Sequence, residues 1–452
     1  EHILTLQNDP TPADYHALAK CALKLDRTQK APKVCQTLLE KNPEDGLAHA
    51  LLGETLAEMG EQHQAEEHLQ KAVQYAPDQA YPWLAMAQFY NKAGDSTEVT
   101  DSLRKAVQIA PDQAELHLAL GQNYLSAGSQ SQALTSLRKA DQLTSAFFTT
   151  ESYYLRSRIA FPFAKTLFEL GHAEEALQTI QEAFPLPDNQ IETLHLQAQI
   201  FTFLNRPQQA IPLLDKAILL DPTNANVIIE YAGAQLQANQ DLDKAISALQ
   251  NLLEKDPHNI DALAWLAEIM RANGDPSNAL KTYRKALNTP LSDDPHWHPR
   301  LSIGLAQSAI DLDQPETALA VLNKDWQTTP HNHLVISQTL AMAYQKAHLF
   351  DKALQAAKSA REMEPTSLDN LIWFANLAEE IQSYDESIDA LNYALEIEPE
   401  HADLRLNIGR IYRKIGDINQ AYQTIQKIAE IDQSTNEELR SAAQQLMELN
   451  YP

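Results

Sequence analysis

A proline recurs along this chain at a nearly fixed interval. It closes a series of similar segments, "LLEKNPED", "AVQYAPDQ", "AVQIAPDQ", "AILLDPTN", "LLEKDPHN", "AREMEPTS" and "ALEIEPEH". The spacing is 34 and 34 from Pro43 to Pro77 to Pro111, 35 from Pro222 to Pro257, and 35 and 34 from Pro330 to Pro365 to Pro399. Such a period means that a small unit, unable to bury its own apolar face, is repeated and stacked. It also resolves a question of size, because 452 residues exceed what one compact core accommodates.

Each period carries two apolar-periodic segments separated by a short turn, as in "AYPWLAMAQFYNKAGDSTEVTDSLRKAVQIAPD". Apolar residues recur at spacings of three and four among Ala, Leu, Gln, Glu and Lys, so both segments read as helices and the unit as a helical hairpin. At this point the chain resembles the tetratricopeptide repeat family, whose pattern runs W-x2-L-G-x2-Y, then A-x3-F, then A and P. Trp83, Leu120 and Tyr124 stand at its large positions on first helices, and Leu103, Leu137 and Leu391 on second helices. The resemblance implies an all-α, right-handed superhelical solenoid of about twelve helix-turn-helix repeats, whose first helices line a concave groove.

Aligned on that pattern, the repeats start near residues 12, 46, 80, 114, 157, 191, 226, 260, 299, 334, 368 and 402. Their eighth position is always small, Ala19, Gly53, Ala87 and Gly121 being the first four. A small side chain there lets the helices of one hairpin close together. Nine residues beyond the rhythm lie within "LTSAFFTTESYYLR" and five within "SDDPHWH", so the array reads as repeats one to four (1–145), five to eight (146–291) and nine to twelve (292–433). The two insertions are either hinges or extended helices. Pro162 should kink the helix it sits in. Residues 434–452 read as a C-terminal capping helix over the last apolar face.

Composition excludes several functions. The formal charge of −26 argues against nucleic-acid duplexes and anionic membranes, which are held through Lys and Arg. Cys21 and Cys35 are the only cysteines, which excludes a disulfide-built scaffold. No stretch is long and apolar enough to span a membrane, and no signal-like segment opens the chain, so the expectation is a soluble, cytoplasmic protein. A first residue of Glu1 instead of Met suggests a processed or excised piece. The alignment uses ten of the twelve glycines, which leaves no phosphate-cradling loop, and no nucleophile or metalloprotease motif is present. Neither enzymatic chemistry nor a cofactor is expected. One metal reading remains: His296 and His298 follow repeat eight, His331 and His333 follow repeat nine, and loops of this kind share an edge, so the four could hold zinc. The plainer reading is that these loops supply turn formers and that Trp297 packs over a widened junction.

Function then lies in the groove. The resemblance places positions five, nine, twelve and thirteen there. The ninth position carries Lys20, Gln88, Gln122, Lys165, Gln199, Gln307, Asn376 and Arg410 in eight of the repeats. A carboxamide offers both a donor and an acceptor, as an extended peptide backbone requires, although Gln is also simply a solvated helix former. His16, Leu84, Leu118, Phe161 and His195 at position five would make pockets between these rungs. The Lys and Asn pattern of chaperone-binding members is not matched. From Glu362 to Leu404 there are twelve acidic residues and no Lys or Arg, which suits a basic partner segment, or pairing with Arg410, Arg413 and Lys414 in the last repeat. The expected function is a non-catalytic scaffold that binds a protein or peptide segment. The alternative is a regulatory or sensor arm of a larger enzyme or signalling protein.

Overall fold

A computed structural model describes residues 31–145, 150–182, 190–290, 297–328 and 334–430, with four further positions between 13 and 18. The described residues form helices and turns, with no strand among them. The chain divides into two compact units, Glu1–Asp221 and Pro222–Pro452.

The first unit opens with α1 (Ala31–Lys41), followed by the hairpins α2 (Gly46–Glu58) with α3 (Gln62–Tyr75) and α4 (Ala80–Ala93) with α5 (Ser96–Ile109). Then come α6 (Ala114–Ser126) with α7 (Gln130–Ser145), α8 (Thr150–Glu169) with α9 (Ala173–Glu182), and α10 (Gln190–Phe203) with α11 (Pro207–Leu220). The second unit holds α12 (Ala225–Ala238) with α13 (Leu242–Lys255), α14 (Ile260–Ala272) with α15 (Pro276–Leu287), and α16 (Trp297–Asp311) with α17 (Pro315–Thr328). It ends with α18 (Leu334–Lys346) and α19 (Phe350–Met363), α20 (Leu368–Glu380) and α21 (Tyr384–Ile397), and α22 (Ala402–Lys414) and α23 (Ile418–Glu430). In each unit a helix packs against its hairpin partner and against the next hairpin, while first helices also touch one another, α2 on α4 and α14 on α16 among them.

Local chemistry sets the helix ends. Asp45, Asp95, Asn224, Asn259 and Ser367 accept hydrogen bonds from backbone N–H groups three residues on, which satisfies donors the helix cannot. The turn inside each hairpin is left-handed. Gly94 takes it at φ 81°, where an L side chain would be strained. Asn205, Asn239, His348 and Gln382 take it without glycine, at φ between 51° and 64°, at a cost of roughly 1 kcal/mol each.

The small eighth position does what its spacing implies. A Cβ on Gly53 would lie 2.6 Å from Leu69, on Gly121 2.7 Å from Leu137, and on Gly409 2.5 Å from Ile425. Each glycine is therefore the slot into which position 24 of its own hairpin inserts. Leu69 and Leu137 are fully buried, and burial of such a side chain contributes about 2 kcal/mol.

The prolines turn out to be more than helix ends. The side chains of His49, Trp83, His117 and Arg405 donate from the fourth position of their repeats to the carbonyls of Pro43, Pro77, Pro111 and Pro399, at 3.0, 3.1, 2.9 and 2.6 Å. An N–H-bearing side chain thus staples each of these first helices to the loop before it. Since the Nε2–H of His49 faces a carbonyl, its Nδ1 is the acceptor for the Nδ1–H of His68, 2.8 Å away; the pair is neutral, and burial lowers both pKa values.

At the first insertion the extra residues lengthen helices, α7 to 16 residues and α8 to 20. Arg156 ties the lengthened pair together, 3.6 Å from Asp141 and 2.8 Å from Glu182. Burial raises the pKa of Asp141 while Arg156 pulls it down. Pro162 lies inside α8 without ending it. Residues 146–149 and 291–296, and the expected capping helix at 434–452, lie outside the described residues.

Candidate peptide-binding cleft

Positions two, five and nine of a first helix follow the spacing i, i+3, i+7 and so share one face. Within a unit, position nine of one first helix can meet position two of the next. Two such rungs are closed. Tyr81 on α4 donates to Glu54 on α2 at 2.5 Å, and burial together with the Glu54 carboxylate pushes the phenol's pKa up. Arg300 on α16 donates to Glu268 on α14 at 3.1 Å, with its guanidinium 4.9 Å from the Trp265 ring centroid.

The corresponding pair Gln122 on α6 and Arg158 on α8 lines an open cleft of about 310 Å³. Its floor is apolar, made by Leu84, Ala87, Val99, Leu103 and Ala119. Its polar rim carries Gln88, Asn91, Gln122, Asn123 and Ser126. Asn123 donates to Thr100 Oγ1 at 2.7 Å and Ser126 to the Gln122 carbonyl at 3.1 Å. Gln88, Asn91, Gln122 and Arg158 make no side-chain hydrogen bond or ion pair among the described residues. Among the described residues no His, Cys, Asp or Glu lines the cleft.

Of the residues expected at a groove, the structure brings Leu84, Gln88 and Gln122 together in this cleft. Phe161, half-buried, and Lys165, exposed, follow Arg158 on the same face of α8, with Lys165 3.9 Å from Glu169. Leu118 is only 2% exposed and packs in the core instead. His16 is engaged by Asp45 at 3.1 Å, and Lys20 lies outside the described residues. His195 and Gln199 are half-buried on α10, and burial lowers the pKa of His195. Gln307 is half-buried on α16, while Asn376 and Arg410 are exposed on α20 and α22; Arg413 is half-buried.

Asn91, Asn123 and Arg158 were not singled out by sequence. Position two could have revealed Arg158, since it shares the face of positions five and nine.

In the acidic stretch, Lys358 pairs with Glu386 at 2.5 Å and Lys414 pairs with Glu379, so cations on either side neutralise part of it. Of the zinc candidates, His298 lies within 3.4 Å of Ser302 Oγ, and His296, His331 and His333 lie outside the described residues. No group of three or more metal-ligating side chains occurs among the described residues. Cys35 is buried, its thiol pushed up to about 12 by desolvation, which makes it a packing residue. Cys21 lies outside the described residues. No helix among the described residues is long and apolar enough to cross a membrane.

Four family models match the chain: the cytochrome c-type biogenesis protein H tetratricopeptide domain over residues 187–297, and tetratricopeptide repeat models over 266–397, 382–446 and 48–79. The chain belongs to the tetratricopeptide repeat family. Among its relatives, Tetratricopeptide repeat protein 8 of Caenorhabditis elegans is 21% identical over 274 residues, 60% of this chain and 45% of that protein. TPR repeat-containing protein YpiA of Bacillus subtilis is 20% identical over 300 residues, 59% of this chain and 69% of that one. Among solved structures, yeast Tom70 aligns over 89% of this chain and 96% of its own at 15% identity, with a TM-score of 0.43. The chain thus spans about half the length of the worm relative.

Proposed function

We propose that this tetratricopeptide repeat chain is a non-catalytic protein-interaction scaffold, which holds an extended segment of a partner protein along its first helices. The observation that carries this reading is the cleft of repeats three to five, where three carboxamides without partners among the described residues stand over an apolar floor. Carboxamides match the alternating donors and acceptors of an extended backbone, and the floor takes an aliphatic side chain between them. Among the described residues the cleft has no side chain to act as nucleophile, general base or metal ligand, save the hydroxyl of Ser126, which is already bonded to the backbone. Elsewhere, Asp385 and Asp389 in the acidic stretch suit a basic stretch of a partner.

The test is selection from a phage library of random twelve-residue segments displayed within a coat protein. The wild-type chain should enrich a family of sequences, and the double variant Gln88→Ala, Gln122→Ala, with an unchanged circular dichroism spectrum, should enrich them several-fold less. Equal enrichment by both proteins refutes the groove as the binding surface.

A further inference from the structure

We infer that the cleft of repeats three to five seats an acidic side chain of an internal, extended peptide segment, and that Arg158 is the residue that holds its carboxylate. This rests on the groove reading above. The observation behind it lies in the chain itself. At the rung between repeats eight and nine, Arg300 stands at position two and is met by Glu268 at position nine, 3.1 Å away. Arg158 stands at the same position two, between repeats four and five, but position nine there is Gln122, which is neutral. The place that Glu268 fills at one rung is left for a ligand at the other.

The lining of the cleft agrees with an anionic occupant. Among the described residues none that lines the cleft is acidic, and Arg158 is the one cation there. The net charge of −26 opposes an acidic ligand only at long range, because salt screens charges beyond about 8 Å. Nucleic acid fits less well, since one cation and no aromatic face provide neither phosphate tracking nor base stacking.

The library selection tests this when run with wild type, Arg158→Ala and Arg158→Glu. Wild type should enrich Asp or Glu next to Leu, Ile or Val; Arg158→Ala should keep the aliphatic preference and lose the acidic one; Arg158→Glu should favour Lys or Arg. An enriched sequence made as an N-acetylated, C-amidated fluorescent peptide should bind Arg158→Ala about fivefold more weakly in fluorescence polarisation. If wild type enriches no acidic residue, or Arg158→Ala enriches it equally, while Gln88→Ala, Gln122→Ala still loses capture, the proposal falls and the groove reading stands. If wild type enriches nothing, both fall. The claim of an internal side chain is overturned if the peptide with Ala for its acidic residue and a free C-terminus binds as tightly and as dependently on Arg158. Tighter, Arg158-dependent binding of a twelve-nucleotide RNA overturns the peptide assignment.

Discussion

The Glu268–Arg300 rung and the Gln122–Arg158 rung occupy equivalent places in their repeats and differ in two side chains, Glu268 against Gln122 at position nine and Trp265 against Ala119 at position six. At the first the arginine is satisfied from within, held by Glu268 and laid over Trp265. At the second it has no partner among the described residues and stands at the edge of an apolar-floored cleft. The fold thus provides equivalent positions along its first helices, and the side chains around the arginine decide whether a rung is closed from within. An arginine in such an array is consequently not a binding residue by type or position alone.

The comparison breaks most completely if the helix under the open rung is displaced. Gly121 lies beside Gln122, and a Cβ there would come 2.7 Å from Leu137, a fully buried side chain. Gly121→Ala should cost a net 1–2 kcal/mol or so, overpacking outweighing the better helix propensity, and should abolish peptide capture as α6 moves off α7. The closed rung has Ala267 at the same position, fully buried, because its hairpin is already spaced for it. A calorimetric melt of Gly121→Ala that matches wild type would show that the slot is not filled as described.

A reciprocal exchange sharpens the comparison further. Gln122→Glu should close the open rung with an internal carboxylate and weaken acidic-peptide binding about tenfold or more, through competition and like charge. Glu268→Gln should open the closed rung, give measurable acidic-peptide binding at repeats eight and nine, and cost about 0.5 kcal/mol, since both partners are more than a third exposed. Fluorescence polarisation with the selected peptide reads both. If the exchange moves neither affinity, the rungs are not equivalent.

Much of this architecture was legible in the sequence because it is written at short range. The proline period, the small eighth position and the turn glycines each reflect contacts within a single hairpin, so one sequence suffices to read them. The rungs are different: they join position nine of one repeat to position two of the next, and the groove positions five, nine, twelve and thirteen leave position two out, although the alignment places repeat five at 157. Leu118 shows the same limit, since position five reaches the groove at Leu84 but is packed away at Leu118. The stapling of His49, Trp83, His117 and Arg405 to proline carbonyls also escaped, because three chemically unlike residues share only an N–H.

A smaller effect concerns pH, and it must be separated from any titration of the open rung. Ligand carboxylates lose charge near pH 4, but repeat two weakens sooner. Burial depresses the pKa values of His49 and His68 in the folded state, so the fold favours their neutral forms. Stability from this pair is fully present above the unfolded value of about 6.5 and is lost as pH falls through 6.5 toward the lower folded values. The melting midpoint should therefore decline from pH 7 to pH 5, and the variant His49→Gln, His68→Gln should show a shallower decline. An unchanged slope would mean that the pair is not the source.

The smallest effect is the most diagnostic of the comparison. Arg158 is exposed and makes no hydrogen bond or ion pair among the described residues, so Arg158→Ala removes no internal partner. Its effect on the free energy of unfolding should fall within about 0.5 kcal/mol of zero. Arg300→Ala at the closed rung should cost up to about 1 kcal/mol, losing both the Glu268 pair and the stacking on Trp265. Urea denaturation of the two variants side by side measures this. Equal destabilisation would mean that Arg158 is a structural residue like Arg300, and the open rung would lose its claim to be a receptor; a null effect at Arg158 together with lost acidic preference would separate binding from stability at one side chain.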